Sequence, residues 1–371
     1  MKVLYLIDTL QTGGAEKSLL SITRGFKEVT PVFWVIFKGN HRLLNEFLEA
    51  GIIVKTWGFS TSSSCRMIAE KLNEQIAELK PDIVHASLFR SEMISRKLQG
   101  EFLLVNSLVN NSYHWRRYRK LSVKSFLSLL LVHFRDYFTS RRVDYWFSNS
   151  GYLGEVHQKT LGIPNDKITT IPRGRSSEEF ILRKQKHQDS AIFITVGRLI
   201  PRKGHSELLR AFRSISTKYP TSQLWIVGEG PDLNKLTALA KKLQISDSVT
   251  FWGNSNQVSK LLSEANFFVF PSHYEGFPGA LIEAMFSKIP IIASAIPENK
   301  SCVPSDLGLW FEVFNWKDMA YKMEEAIESD RWESMTNEAH RHALELLDVR
   351  AISTQYEKAY QLLLEKRALK K

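Results

Sequence analysis

At 371 residues, the chain is longer than one ordinary open-sheet domain, so its length predicts two domains of similar size, each with its own core. An apolar fraction of 43% and a charged fraction of 24% exclude the disordered and collagen-like classes. The formal charge of +11 favours a polyanionic partner, which leaves nucleic acid, an anionic lipid surface and a phosphorylated substrate open.

Cysteine usage and the lengths of the apolar runs indicate the compartment. Cys65 and Cys302 lie far apart and outside any C-x-x-C spacing, so we expect neither a disulfide framework nor a zinc site, which fits a reducing compartment. The apolar run after Met1-Lys2 is too short for a signal peptide, and residues 126–134 make up about half of the roughly 20 residues that a membrane-spanning helix needs. We therefore expect a cytoplasmic protein without a membrane span.

In chain order, short β-branched or aromatic runs alternate with longer amphipathic segments. The first strand-like runs cover residues 3–8, 32–37, 52–57, 83–86, 102–107 and 143–149. The same pattern restarts at residues 191–196, 223–227, 249–252, 267–270 and 289–293. This alternation predicts an α/β protein of two Rossmann-like, doubly wound domains, each with a mostly parallel sheet covered on both faces.

A polar stretch without apolar periodicity separates the two series of strands and predicts an interdomain linker, with the boundary near residue 182. We therefore expect an N-terminal domain over residues 1–182 and a C-terminal domain over residues 183–350. From Trp316 onward, apolar residues recur at helical spacing to the end of the chain.

The first predicted strand ends in a turn that contains Gly13 and Gly14. Paired glycines let the backbone approach a ligand, and the following helix would offer free N–H groups. The turn lacks the G-x-G-x-x-G spacing, so the dinucleotide fingerprint of a dehydrogenase is missing. A tight turn with a purely conformational role is the alternative.

Three cations, Arg198, Arg202 and Lys203, follow the strand that opens the second domain. Open α/β sheets bind ligands at the carboxyl ends of their strands. Arginine and lysine at that place can neutralise a diphosphate and stabilise it as a leaving group without a metal. A solvated basic loop is the alternative.

Two later strand ends in the second domain also carry glycines. Gly228-Glu229-Gly230 follows the strand at residues 223–227 and would let a planar group approach the backbone. The strand at residues 267–270 leads through a Gly-rich turn into a helix, whose free amides near Gly279 and Ala280 would face an anion.

Two glutamates lie in this last segment. Glu275 is in the turn, and Glu283 is in an otherwise apolar helical stretch. A carboxylate in such a stretch needs a partner, for which ribose hydroxyls are suitable donors. An exposed position or a structural ion pair is the alternative for Glu283.

Taken together, these motifs resemble the large retaining glycosyltransferase family of GT-B fold that is often called family four. The resemblance covers nearly the whole chain in the family's order and is most specific from residue 192 to 293. The matching pieces are Gly13-Gly14-Ala15-Glu16, Pro81-Asp82-Ile83-Val84-His85, Ser148-Asn149-Ser150, Ile171-Pro172-Arg173-Gly174, Gly197-Arg198 with Lys203-Gly204, Gly228-Glu229-Gly230, and Glu275 with Glu283.

The resemblance implies two Rossmann-like domains that face each other across a cleft, with the donor held mainly by the C-terminal one. It also implies that the final helix, at about residues 351–371, packs back on the N-terminal domain. The family's chemistry retains the anomeric configuration, and the usual proposal is front-face attack in which the leaving phosphate accepts the acceptor's proton.

Residue roles are carried over from the family by position. Arg198 and Lys203 would stabilise the donor diphosphate, Glu275 would contact the transferred sugar, and Glu283 would bind the ribose. The other residues assigned to the donor site are Gly13, Gly14, Gly197, Gly228, Glu229, Gly276, Phe277, Gly279 and Ala280. His85 and Asn110 are placed on the acceptor side.

The chain departs from the family's pattern at two places. The family often carries a His where this chain has Ser107-Leu108-Val109-Asn110, and the usual Asn before Gly174 is Arg173. No Asp-x-Asp triplet occurs, which agrees with metal-independent transfer, so we expect neither a metal nor another cofactor.

The favoured function is transfer of a hexose or N-acetylhexosamine from a nucleotide-sugar, UDP before GDP, to a lipid-linked glycan acceptor. The setting would be surface-polysaccharide biosynthesis, such as that of lipopolysaccharide or capsule. A non-catalytic sugar-nucleotide-binding protein or partner subunit is the alternative, because the family's His is missing. Nucleic-acid binding is not expected, since no base-stacking or groove-reading motif accompanies the basic charge.

Residues 113–142 combine cations with large apolar side chains. Trp115, Phe126, Leu127, Leu130 and Phe134 supply the apolar component. The cations at the head of the segment are Arg116, Arg117, Arg119 and Lys120. This composition predicts an interfacial helix that docks on an anionic membrane, here the inner face of the cell membrane. A packed helical pair with a solvated basic face is the alternative.

Overall fold

A computed structural model describes residues 1–11, 13–113, 118, 121–183 and 191–369. The chain forms two compact units: unit 1 comprises Met1–Gly174 and Val349–Lys371, and unit 2 comprises Arg175–Asp348. The division therefore lies eight residues before the expected boundary near residue 182. The reason is local hydrogen bonding inside unit 2, where the Ser177 hydroxyl donates to Asp348 at 2.6 Å and the Arg183 N–H donates to the Ser287 carbonyl at 2.8 Å.

The sheet of unit 1 has seven parallel strands in the order β3-β2-β1-β4-β5-β6-β7. They are β1 (Lys2–Ile7), β2 (Thr30–Phe37), β3 (Ile53–Phe59), β4 (Ile83–Ser87), β5 (Leu103–Leu108), β6 (Tyr145–Ser148) and β7 (Ile168–Thr170). The described helices of this unit are α1 (Gly14–Arg24), α2 (Leu44–Glu49), α3 (Cys65–Leu79), α4 (Phe89–Ser95), α5 (Val123–Thr139), α6 (Gly151–Leu161) and α14 (Val349–Ala368).

Strand β1 shows why the sheet of unit 1 is covered on both faces. Its side chains alternate, as strand geometry requires, between two apolar cores. Val3, Tyr5 and Ile7 belong to one core, while Leu4 and Leu6 belong to the other. A strand that is buried on both faces reads as a continuous apolar run, which is why this strand was visible in the sequence.

The sheet of unit 2 has six parallel strands in the order β10-β9-β8-β11-β12-β13. They are β8 (Ile192–Val196), β9 (Gln223–Val227), β10 (Val249–Gly253), β11 (Phe267–Phe270), β12 (Ile291–Ser294) and β13 (Leu309–Phe311). The described helices are α7 (His205–Lys218), α8 (Leu233–Lys242), α9 (Val258–Glu264), α10 (Gly279–Phe286), α11 (Pro297–Lys300), α12 (Trp316–Glu328) and α13 (Trp332–Leu347). Two apolar cores again cover the two faces of the sheet.

The C-terminal helix α14 packs as part of unit 1. Its residues Ile352, Tyr356 and Tyr360 are buried in the same core as β1. Its Glu357 carboxylate accepts hydrogen bonds from three successive backbone N–H groups, those of residues 27–29. These contacts tie the end of the chain to the first two strands.

A buried polar network reinforces this attachment. The hydroxyl of Tyr360 lies 2.7 Å from that of Tyr5 and 2.5 Å from Nδ1 of His85. The other ring nitrogen of His85, Nε2, lies 2.7 Å from the Ser107 hydroxyl. The network therefore joins α14 to β1, β4 and β5 through a chain of hydrogen bonds that water does not reach.

Among the described residues, no helix is long and apolar enough to cross a membrane.

We expect Tyr360→Phe to loosen α14, because it leaves polar atoms of Tyr5 and His85 buried without their partner, at a cost of about 1–3 kcal/mol. Amide hydrogen exchange in α14 and β4 should accelerate by roughly tenfold to a hundredfold. Tyr321→Phe is the matched control, since that side chain is 63% exposed. Equal exchange in the two variants would contradict a stabilising role for the network.

Candidate active site

The strand order of unit 2 reverses between β8 and β11. The connection that leaves β8 leads to β9 on one side, whereas the connection that leaves β11 leads to β12 on the other side. The two connections therefore diverge. In open parallel sheets, ligands bind at the carboxyl ends of the strands at such a switch point. The two loops at this place cover residues 197–204 and 271–278.

The two loops are joined by charged side chains. Lys203 Nζ donates to Glu275 Oε1 at 2.5 Å, and Arg202 Nη1 donates to Glu275 Oε2 at 3.1 Å. Arg202 Nη1 also donates to the Tyr274 carbonyl at 3.0 Å, and the His273 N–H donates to the Arg202 carbonyl at 2.8 Å. Both oxygens of Glu275 therefore accept from cations, a pairing that no local sequence pattern indicates.

Burial and attraction act in opposite directions on the two members of this ion pair. Burial raises the pKa of Glu275, but attraction to Lys203 and Arg202 more than offsets it and brings the pKa to about 2. Burial lowers the pKa of Lys203, and attraction to Glu275 opposes that shift. Glu275 is therefore ionised at neutral pH.

Arg198 differs from the two other cations of its loop. Its side chain is exposed, and it forms no ion pair with a residue that the structure describes. The neighbouring Leu199 is fully buried, and its N–H donates to the Glu229 carbonyl at 2.9 Å. Arg198 thus projects from an anchored backbone, and three cations beside one carboxylate leave the loop positively charged.

Glu283 has a protein partner. Arg175 Nε donates to Glu283 Oε1 at 3.1 Å, and both side chains are largely buried. A Cβ added to Gly279 would lie 2.3 Å from Arg175 Nη2, so the guanidinium also covers the first turn of α10. Glu283 therefore forms a structural ion pair, the alternative that the sequence offers besides a ribose contact. Its partner lies 108 positions away in the sequence, and no local pattern marks it.

The first turn of α10 offers donors to an anion. The helix begins at Gly279 directly after Pro278, without a side-chain cap, so the N–H groups of Gly279 and Ala280 have no helical partner. Gly276 and Phe277 precede this turn and are both buried, Phe277 in one of the two apolar cores. Packing by Phe277 therefore positions the amides of the two residues that were assigned to the donor.

The glycines after β8 and β9 hold these two loops against each other. Gly228 has a φ of 139°, and a Cβ added to it would lie 2.0 Å from the Gly197 carbonyl oxygen. The Glu229 side chain is exposed. Gly197 and Gly228 therefore allow a close backbone approach that shapes the site.

In unit 1, the corresponding switch point lies between β1 and β4. Gly13 caps α1 and Gly14 begins it, and the Glu16 carboxylate folds back on this turn, 2.3 Å from where a Gly13 Cβ would lie. Burial raises the pKa of Glu16, and the charge of Arg173 opposes that shift. The Arg173 Nη1 atom would lie 3.3 Å from a Cβ on Gly14, so this turn carries both a carboxylate and a cation.

The two acceptor-side residues occupy different environments. Asn110 is exposed and lines a small cavity of about 50 Å³ together with Glu92 and Tyr113. His85 is fully buried, both of its ring nitrogens are hydrogen-bonded within unit 1, and burial lowers its pKa to about 3. The expected acceptor contact of His85 is thus corrected: this residue is a neutral member of the core network.

The predicted membrane cations Arg116, Arg117, Arg119 and Lys120 lie outside the described residues, as does Trp115. The apolar part of the same segment is described and forms α5. Large apolar side chains of this helix are exposed: Val123, Phe126, Leu127, Leu130, Leu131, Phe134 and Phe138. We call these residues the α5 stripe.

Within the described part of the chain, no group of three or more His, Cys, Asp and Glu side chains could hold a metal ion.

Comparison with known proteins assigns both halves of the chain to one enzyme family. The model for glycosyl transferases group 1 matches residues 177–343, and the model for glycosyltransferase family 4 matches residues 12–179. Together they extend over most of the chain. The protein belongs to the group 1 glycosyltransferases of GT-B fold.

Individual relatives are similar over parts of the chain. An N-acetylgalactosaminyltransferase of Campylobacter jejuni, which acts on N-acetylgalactosamine-N,N'-diacetylbacillosaminyl-diphospho-undecaprenol, is 30% identical over 43% of this chain and 42% of its own. An Escherichia coli UDP-Gal:α-D-GlcNAc-diphosphoundecaprenol α-1,3-galactosyltransferase is 26% identical over 61% of each chain. The aligned stretches thus span less than two thirds of these relatives.

Among solved structures, Anabaena HepE in complex with UDP and glucose superposes with a TM-score of 0.81. The superposition covers 97% of this chain and 99% of HepE at 16% identity. The likeness establishes the GT-B fold.

Two glycines with positive φ allow a matched test of the loop contact after β8 and β9. We expect Gly253→Ala to cost about 1–2 kcal/mol, because φ is 64° there and an added Cβ meets open space. Gly228→Ala should lower the free energy of unfolding by roughly 1–3 kcal/mol more than Gly253→Ala does, because the added Cβ is overpacked against Gly197. It should also weaken UDP binding. Thermal unfolding with and without UDP measures both effects. Similar losses in the two variants would mean that the close approach does not hold the site together.

Proposed function

We propose that this protein is a metal-independent, retaining glycosyltransferase that moves a hexose or N-acetylhexosamine from a nucleotide-diphosphate sugar to a lipid-linked glycan acceptor in surface-polysaccharide biosynthesis. The observation that carries the proposal is the positively charged pair of loops at the switch point of unit 2. Lys203 and Arg202 are anchored there by Glu275, and Arg198 is exposed beside them.

This arrangement suits a diphosphate leaving group. The fixed cations and the free amides of Gly279 and Ala280 would stabilise negative charge as it develops on the phosphate, with little rearrangement at the moment of reaction. In the proposed reaction, the bond from the anomeric carbon to the diphosphate oxygen breaks, and the acceptor oxygen bonds to the same face of that carbon. The acceptor's proton passes to the leaving phosphate.

The role of Glu275 in this proposal is to position cations as well as to approach the sugar. An ionised carboxylate that is shared by Lys203 and Arg202 fixes both charges at the strand ends. Glu283, whose Oε1 is engaged by Arg175, remains the proposed ribose ligand, with Arg175 orienting it.

The similar proteins support the choice of substrates. Anabaena HepE was solved with UDP and glucose, and the Escherichia coli relative is named for a UDP-sugar donor, which favours UDP over GDP. The names of two relatives include a diphospho-undecaprenol acceptor, which favours a lipid-linked one.

The first test uses Arg198→Ala, since this exposed side chain forms no ion pair with a described residue whose loss would disturb the fold. Donor hydrolysis and sugar transfer should fall by about a hundredfold or more, because one fixed charge at the leaving group is lost. The melting temperature should stay unchanged. Arg210→Ala, an exposed change on α7, is the control.

Three outcomes would count against the proposal. Unchanged turnover in Arg198→Ala would remove the assigned role, and strict dependence on added magnesium would overturn the metal-independent mechanism. A protein that binds UDP-sugars, which should stabilise it by about 2.7 kcal/mol at 100 times the dissociation constant, yet neither hydrolyses nor transfers them would be the non-catalytic alternative.

We further propose that unit 1 docks on the anionic inner face of the cell membrane through α5. The α5 stripe presents seven large apolar side chains to solvent, whereas a surface helix ordinarily turns such residues inward. Lys124 and Arg141 are exposed on or just after this helix and would meet anionic headgroups. Attachment of this kind would bring the enzyme to a lipid-linked acceptor.

The second test replaces Leu127, Leu131 and Phe134 by Ser. The wild-type protein should sediment with anionic but not with neutral liposomes, and high salt should release it. The triple variant should remain in the supernatant, because the apolar area that enters the interface is lost. Leu344→Ser and Leu346→Ser in unit 2 remove exposed leucines elsewhere and should leave sedimentation unchanged. A folded triple variant that sediments like the wild type would exclude α5 as the membrane contact.

A further inference from the structure

Two adjoining cavities of unit 1 form a groove along α4 and α5. The larger has a volume of about 590 Å³ and the smaller about 350 Å³, and both are lined by Phe89 and Val132. Phe89 also lines the small cavity at Asn110, so all three spaces border this residue. The groove therefore reaches the carboxyl ends of β4 and β5, which is the edge of an open sheet where ligands bind.

The smaller cavity is basic. Arg66, Arg90, Lys97 and Arg135 line it together with Ser63 and Ser64, and no acidic residue is among its described lining residues. The first turn of α3 lies at the same place, with Ser64 as its cap. Cations, hydroxyls and a helix N-terminus together favour an anion.

The cations of this cavity differ in how far they are already engaged. Arg66 pairs with Glu70, and Arg90 donates to the carbonyls of Thr61 and Ser63. The Arg90 Nε atom is buried and has no hydrogen-bond partner among the described atoms. Lys97 and Arg135 form no ion pair within the described part of the chain, so their charges are available to a ligand.

The larger cavity has one apolar wall, and we call it the apolar cavity. Phe89, Tyr113, Leu121, Leu129 and Val132 form this wall, while three serines and Lys124, the cation among the described lining residues, also line the cavity. Ser125, Ser128 and Val132 place the groove on one face of α5, while Leu127, Leu130 and Phe134 of the α5 stripe lie on the roughly opposite face. The same helix thus borders both the groove and the proposed membrane contact.

We infer that the groove binds the lipid diphosphate of the acceptor, with the diphosphate in the basic cavity and the first part of the hydrocarbon chain in the apolar one. The glycan would extend past Phe89 towards Asn110. This inference rests on the proposed function, which calls for a lipid-linked acceptor. An amphiphile with a doubly charged head is the ligand whose chemistry matches one basic and one apolar cavity that share a wall.

The test measures direct binding of farnesyl diphosphate to the full chain. Saturating UDP is present throughout, because it occupies the proposed donor site and keeps farnesyl diphosphate from binding there. Cys65 lines the basic cavity and is partly exposed, whereas Cys302 is fully buried, so protection of Cys65 from maleimide reports occupancy without an added label. Farnesyl diphosphate should protect Cys65 strongly. Inorganic diphosphate should protect it at higher concentration, and farnesol should not protect it.

Two variants separate the two halves of the groove. Lys97→Ala with Arg135→Ala should weaken farnesyl diphosphate and inorganic diphosphate by about tenfold or more for each cation removed. Ser128→Trp, which fills the apolar cavity, should weaken farnesyl diphosphate alone. Lys159→Ala with Lys167→Ala removes two cations of unit 1 outside the groove and should change neither.

The inference is overturned if farnesyl diphosphate does not protect Cys65, or if the Lys97 and Arg135 double variant is protected like the wild type. Stabilisation by UDP, measured on the same sample, keeps this result separate from the proposed function. Stabilisation by UDP without protection of Cys65 would reject the groove and leave the donor site standing. Protection of Cys65 without stabilisation by UDP would reject the donor site and support the groove.

Discussion

Lys203 and Glu275 are buried against each other at the strand ends of unit 2, and the two loops at residues 197–204 and 271–278 depend on this contact. Either charge alone would be costly there, because both side chains are largely removed from water, with 15% of Lys203 and 7% of Glu275 exposed. Together they offset each other's loss of hydration. Since one residue follows β8 and the other follows β11, the pair also fixes the distance between the two loops.

The pair makes the charge of the site insensitive to pH over the usual range. The folded-state pKa of Glu275 is about 2 against an ordinary value of 4.5, so its contribution to stability is complete above pH 4.5 and is lost as the pH falls towards 2. Arg202 shares the same carboxylate, which leaves Arg198 as the cation of this loop with no described ion-pair partner. A single buried anion therefore organises two cations of a loop that as a whole remains positively charged.

Elements with a strong local signal were predictable, and those defined by distant partners were not. Strands such as β1 and β11 are continuous apolar runs because both of their faces are buried, but β7 and β13 have three residues each and too little pattern to be noticed. The charged residues after β8 and β11 were recognised because strand ends gather ligands. The partner of Glu283, the core position of His85 and the domain boundary at Gly174 depend on contacts between residues far apart in sequence.

Helix α5 reverses the usual distribution of side chains, and both the proposed membrane contact and the proposed groove depend on this reversal. Its buried residue is Asp136, held by Arg96 at 2.5 Å and by the Tyr113 hydroxyl at 2.5 Å. Burial raises the pKa of the adjacent Glu92 to about 8, so that carboxyl is mostly neutral and Arg96 is balanced by Asp136. Polar contacts thus help to attach α5 to unit 1, and the leucines and phenylalanines of the α5 stripe remain available for an apolar partner. Fully burying one of these side chains contributes about 1.5–3 kcal/mol, so an apolar partner that covers several of them would gain substantial free energy.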